Sequence, residues 1–276
     1  MKPFNLMIYL DGSSAARRMV AYLAPLARQA HVNTTFLVDE AHQDEAEMYF
    51  FNAEQLLQSD HAPTRTMRGA TPERAIVLET RASQPDLVAF GPLRKEGWRR
   101  WLGQSAIGSL ARRLTCSMLL MQGRPNELRR ALVCAAGGPA TLHDAQMTAS
   151  IIGPLGGQVT ILHIVSQLSL TYKPEERDPE RLADLVMEKQ GEVARNIAAA
   201  KTILTERGVA TSVRIRAGMV LEEIQAELKT GGYDLLVIGA HRARTPLDRV
   251  LLEDVSAEIL FNSPIPVLLV QNTSDF

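Results

Sequence analysis

Three places in this 276-residue chain set glycine, acidic, basic or hydroxyl residues directly after an apolar run. The first is Asp11-Gly12-Ser13, after "FNLMIYL". The second is "GPLRKEGWRRWLGQS", Gly91 to Ser105, after "DLVAF". The third is "GAHRARTPLDRVLLED", Gly239 to Asp254, after "DLLVI". A strand that feeds a glycine turn and then a helix presents backbone amides, and the helix start adds a positive field. Such a place suits a phosphate. In the second stretch Arg94, Lys95, Arg99 and Arg100 surround the loop, so a phosphate would not be repelled. The third stretch ends in Glu253 and Asp254, which carry the wrong sign. Unit charges a few ångströms apart repel by about 1 kcal/mol in water and by more in a less polar site. Asp254 reads there as a helix N-cap, with Glu253 in the positive field of the helix start.

Asp11-Gly12-Ser13 admits two readings: a plain strand-to-helix turn with an N-cap, or a nucleotide contact. Trp98 and Trp101 interleave with Arg99 and Arg100. They could form a stacking surface for a base. No RNA-binding signature accompanies them, which favours a helix start packing its rings, with the arginines in solvent. His163 lies mid-strand and reads as a core residue, while His241 lies in the third loop. His31, His42, His61 and His143 are scattered. There is no G-x-S-x-G, Walker A or G-x-G-x-x-G pattern to support a nucleophile elbow or the common phosphate loops. Cys116 and Cys134 sit in short apolar runs and read as small core hydrophobes. No CxxC or Cys/His cluster argues for zinc or a redox pair.

The elements that hold these loops repeat. "PDLVAFG" (85–91) is echoed by "YDLLVIG" (233–239), and "TCSMLLMQ" (115–122) by "PIPVLLVQ" (264–271). "TRTMRGATPERAIVLE" (64–79) lines up with "SVRIRAGMVLEEIQAE" (212–227). "FNLMIYLDGSSAA" (4–16) matches "RRALVCAAGGPAT" (129–141), and "VNTTFLV" (32–38) matches "QVTILHIV" (158–165). Landmarks recurring in one order over more than a hundred residues mean a duplicated domain, not a solenoid. The first copy reads as strands at 5–10, 32–38, 64–67, 87–90 and 117–121, with helices at 14–30, 44–58, 72–82 and 99–114 between them. In helix one, Ala16, Met19, Leu23, Ala27 and Ala30 share one stripe. Alternating β and α with continuous apolar strands predicts a doubly wound, mostly parallel sheet. The expected domains are residues 1–124 and 128–276. The second grows by an insertion at about 166–186, followed by a long charged helix over 179–206 with a core-facing stripe.

Composition agrees with a foldable chain: 46% hydrophobic, 22% charged, net charge −1. That balance gives no argument for nucleic acid or an anionic membrane. The N-terminal apolar run is too short for a signal peptide, and no run reaches a membrane span. The expectation is a soluble cytoplasmic protein.

On "LDGSSAA", "VTILHIV" and above all "DLLVIGAHRARTPLDRVLLEDVSAEILFNSPIPVLLVQ", nearly the whole chain resembles the universal stress protein family in its tandem two-domain form. The resemblance implies an α/β fold of two tandem doubly wound, Rossmann-like (adenine nucleotide alpha hydrolase-like) domains, each with a five-stranded sheet. It also implies that 117–121 lies beside 266–270, so that the chain is a covalent pseudo-dimer with a further homodimer open to it. Nucleotide-binding members of the family carry an Asp after strand one and, after strand four, G-x-x-G, nine residues, then G-S or G-T. Both copies here depart from that pattern. In the first, Asp11, Gly91 and Gly103 match, Arg94 stands at the second glycine, the loop is one residue shorter, and Gln104 precedes Ser105. Its implied nucleotide contacts are Asp11, Gly12, Ser13, Val38, Gly91, Arg94, Gly103 and Ser105. In the second, Gly239 matches, Arg242 stands at the second glycine, Glu253-Asp254 replace Gly-Ser, and Ala136 replaces the Asp.

The expectation is a regulatory stress-response protein with degenerate nucleotide loops and no catalytic or resident metal site. Its second copy is expected to hold no ATP. The alternatives are an ATP-binding, slowly hydrolysing protein that uses the first copy with Mg²⁺, and a scaffold that recruits a protein partner through 166–186.

Overall fold

The computed structural model describes residues 2–91, 104–123, 127–165, 191–240, 258–260 and 262–271. Among these, ten strands alternate with helices, five strands from each repeat. The first repeat runs β1 (Phe4–Tyr9), α1 (Ser14–Ala27), β2 (Val32–Val38), α2 (Ala46–Leu57), β3 (Thr64–Met67), α3 (Pro72–Ser83), β4 (Leu87–Phe90), α4 (Gln104–Arg113) and β5 (Ser117–Leu120). The second runs β6 (Arg130–Cys134), α5 (Ala140–Ile152), β7 (Gln158–Val165), α6 (Gly191–Glu206), β8 (Ala210–Ala217), α7 (Val220–Gly231), β9 (Leu235–Gly239) and β10 (Val267–Val270). The chain divides into two compact units, Met1–Glu127 with Leu260–Phe276, and Leu128–Ile259.

In the first unit the strand order is β3-β2-β1-β4-β5-β10. All neighbours are parallel except β10, which runs antiparallel to β5 with Val267 opposite Leu120 and Leu269 opposite Met118. These are the two segments that the resemblance places side by side. Gln122 ties down the approach to this strand by donating to the Leu260 carbonyl at 2.6 Å. In the second unit the order is β9-β6-β7-β8, all parallel. The order therefore reverses between β1 and β4, and again between β6 and β9. Those reversals are the places where an open sheet of this kind leaves a crevice at its carboxyl edge.

The inner strands β1, β4, β5, β9 and β10 are almost wholly buried, as a parallel sheet covered by helices requires. The edge strands β3 and β8 are largely exposed and carry arginines. On β3, Arg65 bonds Glu54 and Glu47 of α2, and just past its end Arg68 bonds Glu79 of α3. On β8, Arg214 and Arg216 converge on Glu227 of α7. Charges of this kind discourage another strand from adding to the edge.

Helix α1 starts at an N-cap, where the Ser13 hydroxyl accepts from Ala16 N at 3.1 Å. Ala16, Met19, Leu23 and Ala27 form its buried stripe. The helix stops at Ala27, three residues earlier than its periodicity predicts. Val32 must pair with Phe4, so the chain turns through Gln29, whose carbonyl accepts from Val32 N at 2.9 Å. Helix α3 begins at an N-cap on Thr71 followed by Pro72, and closes on Gln84 in the left-handed region (φ 47°). Cys116 is buried, Cys134 half-buried, and both are free thiols. The insertion at 166–186 and the tryptophans at 98 and 101 lie outside the described residues.

Candidate functional site

The register of β1 against β2 and β4 brings the ends of all three strands to one place. Leu10 N donates to the Leu37 carbonyl at 2.8 Å, which sets Asp11 beside Val38. Gly91 follows β4 and packs on the first turn of α1, since a Cβ there would lie 3.3 Å from the Ala15 Cβ. Asp11, Gly12, Ser13, Val38 and Gly91 thus meet at the reversal point of the first sheet. Ser105 lies in the backbone of α4. Arg94 and Gly103 lie outside the described residues.

The turn itself is well bonded. The Asp11 Oδ1 accepts from Ser13 N at 3.0 Å, a local turn closed by the carboxylate. Gly12 sits at φ 69°, where a side chain would be strained. The residue is exposed, but one side of it is taken. A Cβ on Gly12 would overlap the ring of Tyr49, which α2 lays across the turn. Burial, then the charges of Glu45, Asp11 and Asp39, push the Tyr49 phenol above its ordinary value.

Near that ring lies a carboxylate that the sequence did not single out. Asp39 follows β2 and is fully buried. Its Oδ1 accepts from Ala41 N at 2.9 Å and pairs with His42 Nδ1 at 3.0 Å, and its Oδ2 accepts from the Tyr9 phenol. Burial, followed by the hydrogen bond to Asp39, raises the Tyr9 phenol far above its ordinary range. The His42 and Tyr49 rings lie 6.1 Å apart. One signal was available: a tyrosine in an apolar strand needs a buried partner for its hydroxyl.

The second unit builds the same corner from other residues. Ala136 stands where the first has Asp11, so no carboxylate closes the turn. Gly137 matches Gly12, at φ 83°. Its N–H donates to the Thr141 hydroxyl at 3.2 Å, and its carbonyl accepts from the Asn196 amide at 2.8 Å. A Cβ on Gly137 would overlap Val193 of α6. The helix after the second strand therefore covers the turn in both repeats, with Tyr49 in one and with Val193 and Asn196 in the other. His163 is a satisfied core residue, donating from Nδ1 to the Ala135 carbonyl at 2.8 Å. Near the end of β6, burial pushes the Cys134 thiol up to about 12 and the Asp144 carboxyl up to about 7. Gly239 ends β9 and is buried. Arg242, Glu253 and Asp254 lie outside the described residues.

Among the described residues, no three His, Cys, Asp or Glu side chains are grouped to hold a metal. None of the described helices is long and apolar enough to cross a membrane.

Comparison with known proteins agrees with this architecture. Residues 127–271 match the model of the universal stress protein family. A universal stress protein of Methanocaldococcus jannaschii is 23% identical over 152 residues, covering 55% of this chain and 87% of that protein. The crystal structure of a universal stress protein from Archaeoglobus fulgidus superposes over 100% of this chain and 98% of its own, with a TM-score of 0.62 and 14% identity. A functionally unknown protein from Pseudomonas aeruginosa superposes over 98% of this chain and 92% of its own, with a TM-score of 0.65 and 17% identity.

Proposed function

This chain belongs to the universal stress protein family, and on that premise we propose that it is a regulatory binding protein whose two repeats have diverged in their capacity for nucleotide. The first repeat keeps a weakened adenine-nucleotide site at Asp11, Gly12, Ser13, Val38 and Gly91. The second has lost its site. The contrast between the two corners carries this reading. One turn holds a carboxylate beside Gly91 and the start of α1, while the other has Ala136 in place of that carboxylate and the next residue, Gly137, covered by Val193 and Asn196.

The residues present fit a nucleotide only in part. Gly12 and Gly91 leave the backbone bare for a close approach, and the α1 start offers amides to an anion. Gly12 is exposed, but Tyr49 takes the side of it where a Cβ would project, so a ligand pressing on that side must move the ring. The work of moving a half-buried ring is subtracted from binding, so the first-repeat site is weak and its occupancy tracks nucleotide concentration. When bound with ATP, Mg²⁺ would neutralise phosphate charge. No residue of the chain is assigned a hydrolytic role, so any ATPase activity is slow.

Calorimetric titration of ATP with Mg²⁺ tests the reading. The expected dissociation constant is about 0.1–1 mM, where about 1.4 kcal/mol marks each tenfold step. Asp11→Ala should abolish binding, and Tyr49→Ala should strengthen it. Silence from all three proteins at several millimolar ATP would sink the first-repeat site. Tight binding indifferent to Asp11→Ala would place the nucleotide elsewhere.

A further inference from the structure

The two edge strands of the repeats differ in length. β8 pairs with β7 along eight residues, from Gln158 to Val165. β3 pairs with β2 only from Thr35 onward. Val32, Asn33 and Thr34 therefore have no β3 residue opposite them. A cavity of about 400 Å³ opens at this gap, walled by β2, the approach to β3, the start of β1 and the end of α3. It lies at the amino ends of the strands. Four residues, Met7 to Leu10, separate its lining residue Leu6 from Asp11, a span of about 17 Å at strand rise. It is a different place from the corner described above.

Its chemistry is that of hydroxyls and amides. Asn5, Asn33, Thr35, Ser59, Thr64 and Ser83 all line it. The Asn33 amide donates to the Asn5 side-chain oxygen at 3.0 Å, which leaves an Asn5 amide and an Asn33 oxygen to offer as donor and acceptor. Thr34, also in the wall, is only 8% exposed, and its hydroxyl has no hydrogen-bond partner. A buried hydroxyl normally finds one. The carboxylate in the lining is Glu79, which Arg68 engages from outside the cavity. Apart from His61, no lining residue can carry positive charge, so phosphates and carboxylates gain nothing here. Leu6, Ala27, Val32, Ala62 and Pro85 are small or scattered and give too little apolar wall for a lipid chain. The volume is at the small end of ligand sites.

We propose that this cavity binds a small uncharged polyhydroxy compound of hexitol or cyclitol size, held by the hydroxyls and amides of β2 and the approach to β3. Such a ligand supplies a donor or acceptor to each wall group and asks for no charge. It also spans the gap that a longer β3 would have closed.

Sorbitol and myo-inositol are the probes, titrated into the full chain and followed by amide chemical shifts, with gluconate and ATP titrated in parallel. The expected result is saturable shifts confined to residues 32–35 and 59–64 at millimolar polyol, with gluconate at least about tenfold weaker. Thr34→Val, which removes only the hydroxyl, should weaken binding about tenfold. Ala62→Trp, which fills the mouth from an exposed position, should abolish it. Should Thr34→Val fail to fold, Ala62→Trp decides alone. Shifts that stay linear to about 200 mM polyol mean that the cavity holds water only and overturn the proposal. So does saturation unchanged by either variant, or a preference for gluconate. ATP shifts fall at the Asp11 corner, so failure of the nucleotide site and failure of this one are read separately.

Discussion

Replacing Glu227 by Gln keeps the shape of a buried side chain and removes its charge. Glu227 is fully buried in the second unit. Its Oε1 accepts from Arg214 at 2.8 Å and from the Tyr233 hydroxyl at 2.6 Å. Its Oε2 accepts from Arg216 Nε at 3.1 Å and from the terminal nitrogen at 2.7 Å. Breaking a buried pair by removing one partner costs about 3–5 kcal/mol. That figure must be reduced here. The Arg214 and Arg216 side chains are 53% and 32% exposed, so both guanidiniums regain water. Gln can still accept from Tyr233. The expected loss is about 2–3 kcal/mol, or about 4–12 °C in the midpoint of thermal unfolding. The matched variant Glu79→Gln in the first repeat should lose less, because one arginine contacts that carboxylate and its side chain is 49% exposed.

The pH dependence gives a second reading of the same variant. Burial pushes Glu227 up, but the hydrogen bonds from Tyr233 and Arg216 and the contacts with Arg214 outweigh it, so its carboxyl lies below the ordinary 4.5. A carboxyl lowered by folding adds stability that is complete above the unfolded value. That stability is lost as pH falls through the folded value. Urea melts between pH 3 and pH 7 should therefore show an acid-side decline in the parent that Glu227→Gln flattens. Equal midpoints at pH 7, or the same acid-side slope in both proteins, would refute the reasoning.

Other outcomes follow from the corners and the core. Gly12→Ala should destabilise by about 1–3 kcal/mol, since it combines a positive φ with overlap on Tyr49. Adding Tyr49→Ala should recover part of that loss, and purely additive melts would show that the overlap does not matter. Asp144 is raised by burial to about 7, so the folded state holds its proton better than the unfolded chain. Its stabilising effect is complete below about 4 and is lost as pH rises through about 7. Asp144→Asn should remove that decline, and an unchanged stability profile from pH 4 to 8 would count against it. Cys134, pushed up to about 12, should react with iodoacetamide at pH 8 far more slowly in the native protein than in urea. Comparable rates would contradict its burial.

Periodicity and repetition made most of the fold legible. β2, β3 and β4 fall on the predicted residues: polar turns bound the apolar runs of β2 and β4, and the alignment of 64–79 with 212–227 marks β3. Helix ends shifted by up to three residues wherever a strand register had to be met, as between Ala27 and Val32. The corner was legible in its backbone: Asp11, Gly12, Val38 and Gly91 do converge. Its cover was not. Whether Tyr49 reaches Gly12 depends on how α2 is rotated after the turn at Asp39, which no local pattern encodes. Glu79 and Glu227 stand at matching places in the aligned repeats, yet a glutamate four residues from a helix end reads as solvated. Glu227 is buried because α7 lies on the sheet with Arg214 and Arg216 of β8 and Tyr233 closing around its carboxylate. The cavity beside β2 likewise arises from a difference in strand length that edge residues such as Ala62 and Thr64 do not announce.

The antiparallel pairing of β10 with β5 also constrains the order in which the molecule can be made. Val267 closes on Leu120 across nearly 150 intervening residues. During synthesis the first repeat must wait, with β5 as an open and mostly apolar rim, until β10 leaves the ribosome. Contacts so distant in sequence form slowly, and an unpaired strand edge invites other chains meanwhile. A chain halted before residue 260 would therefore be prone to aggregate rather than merely shorter. Demand for a chaperone should be greatest in that interval, between completion of β5 and arrival of β10.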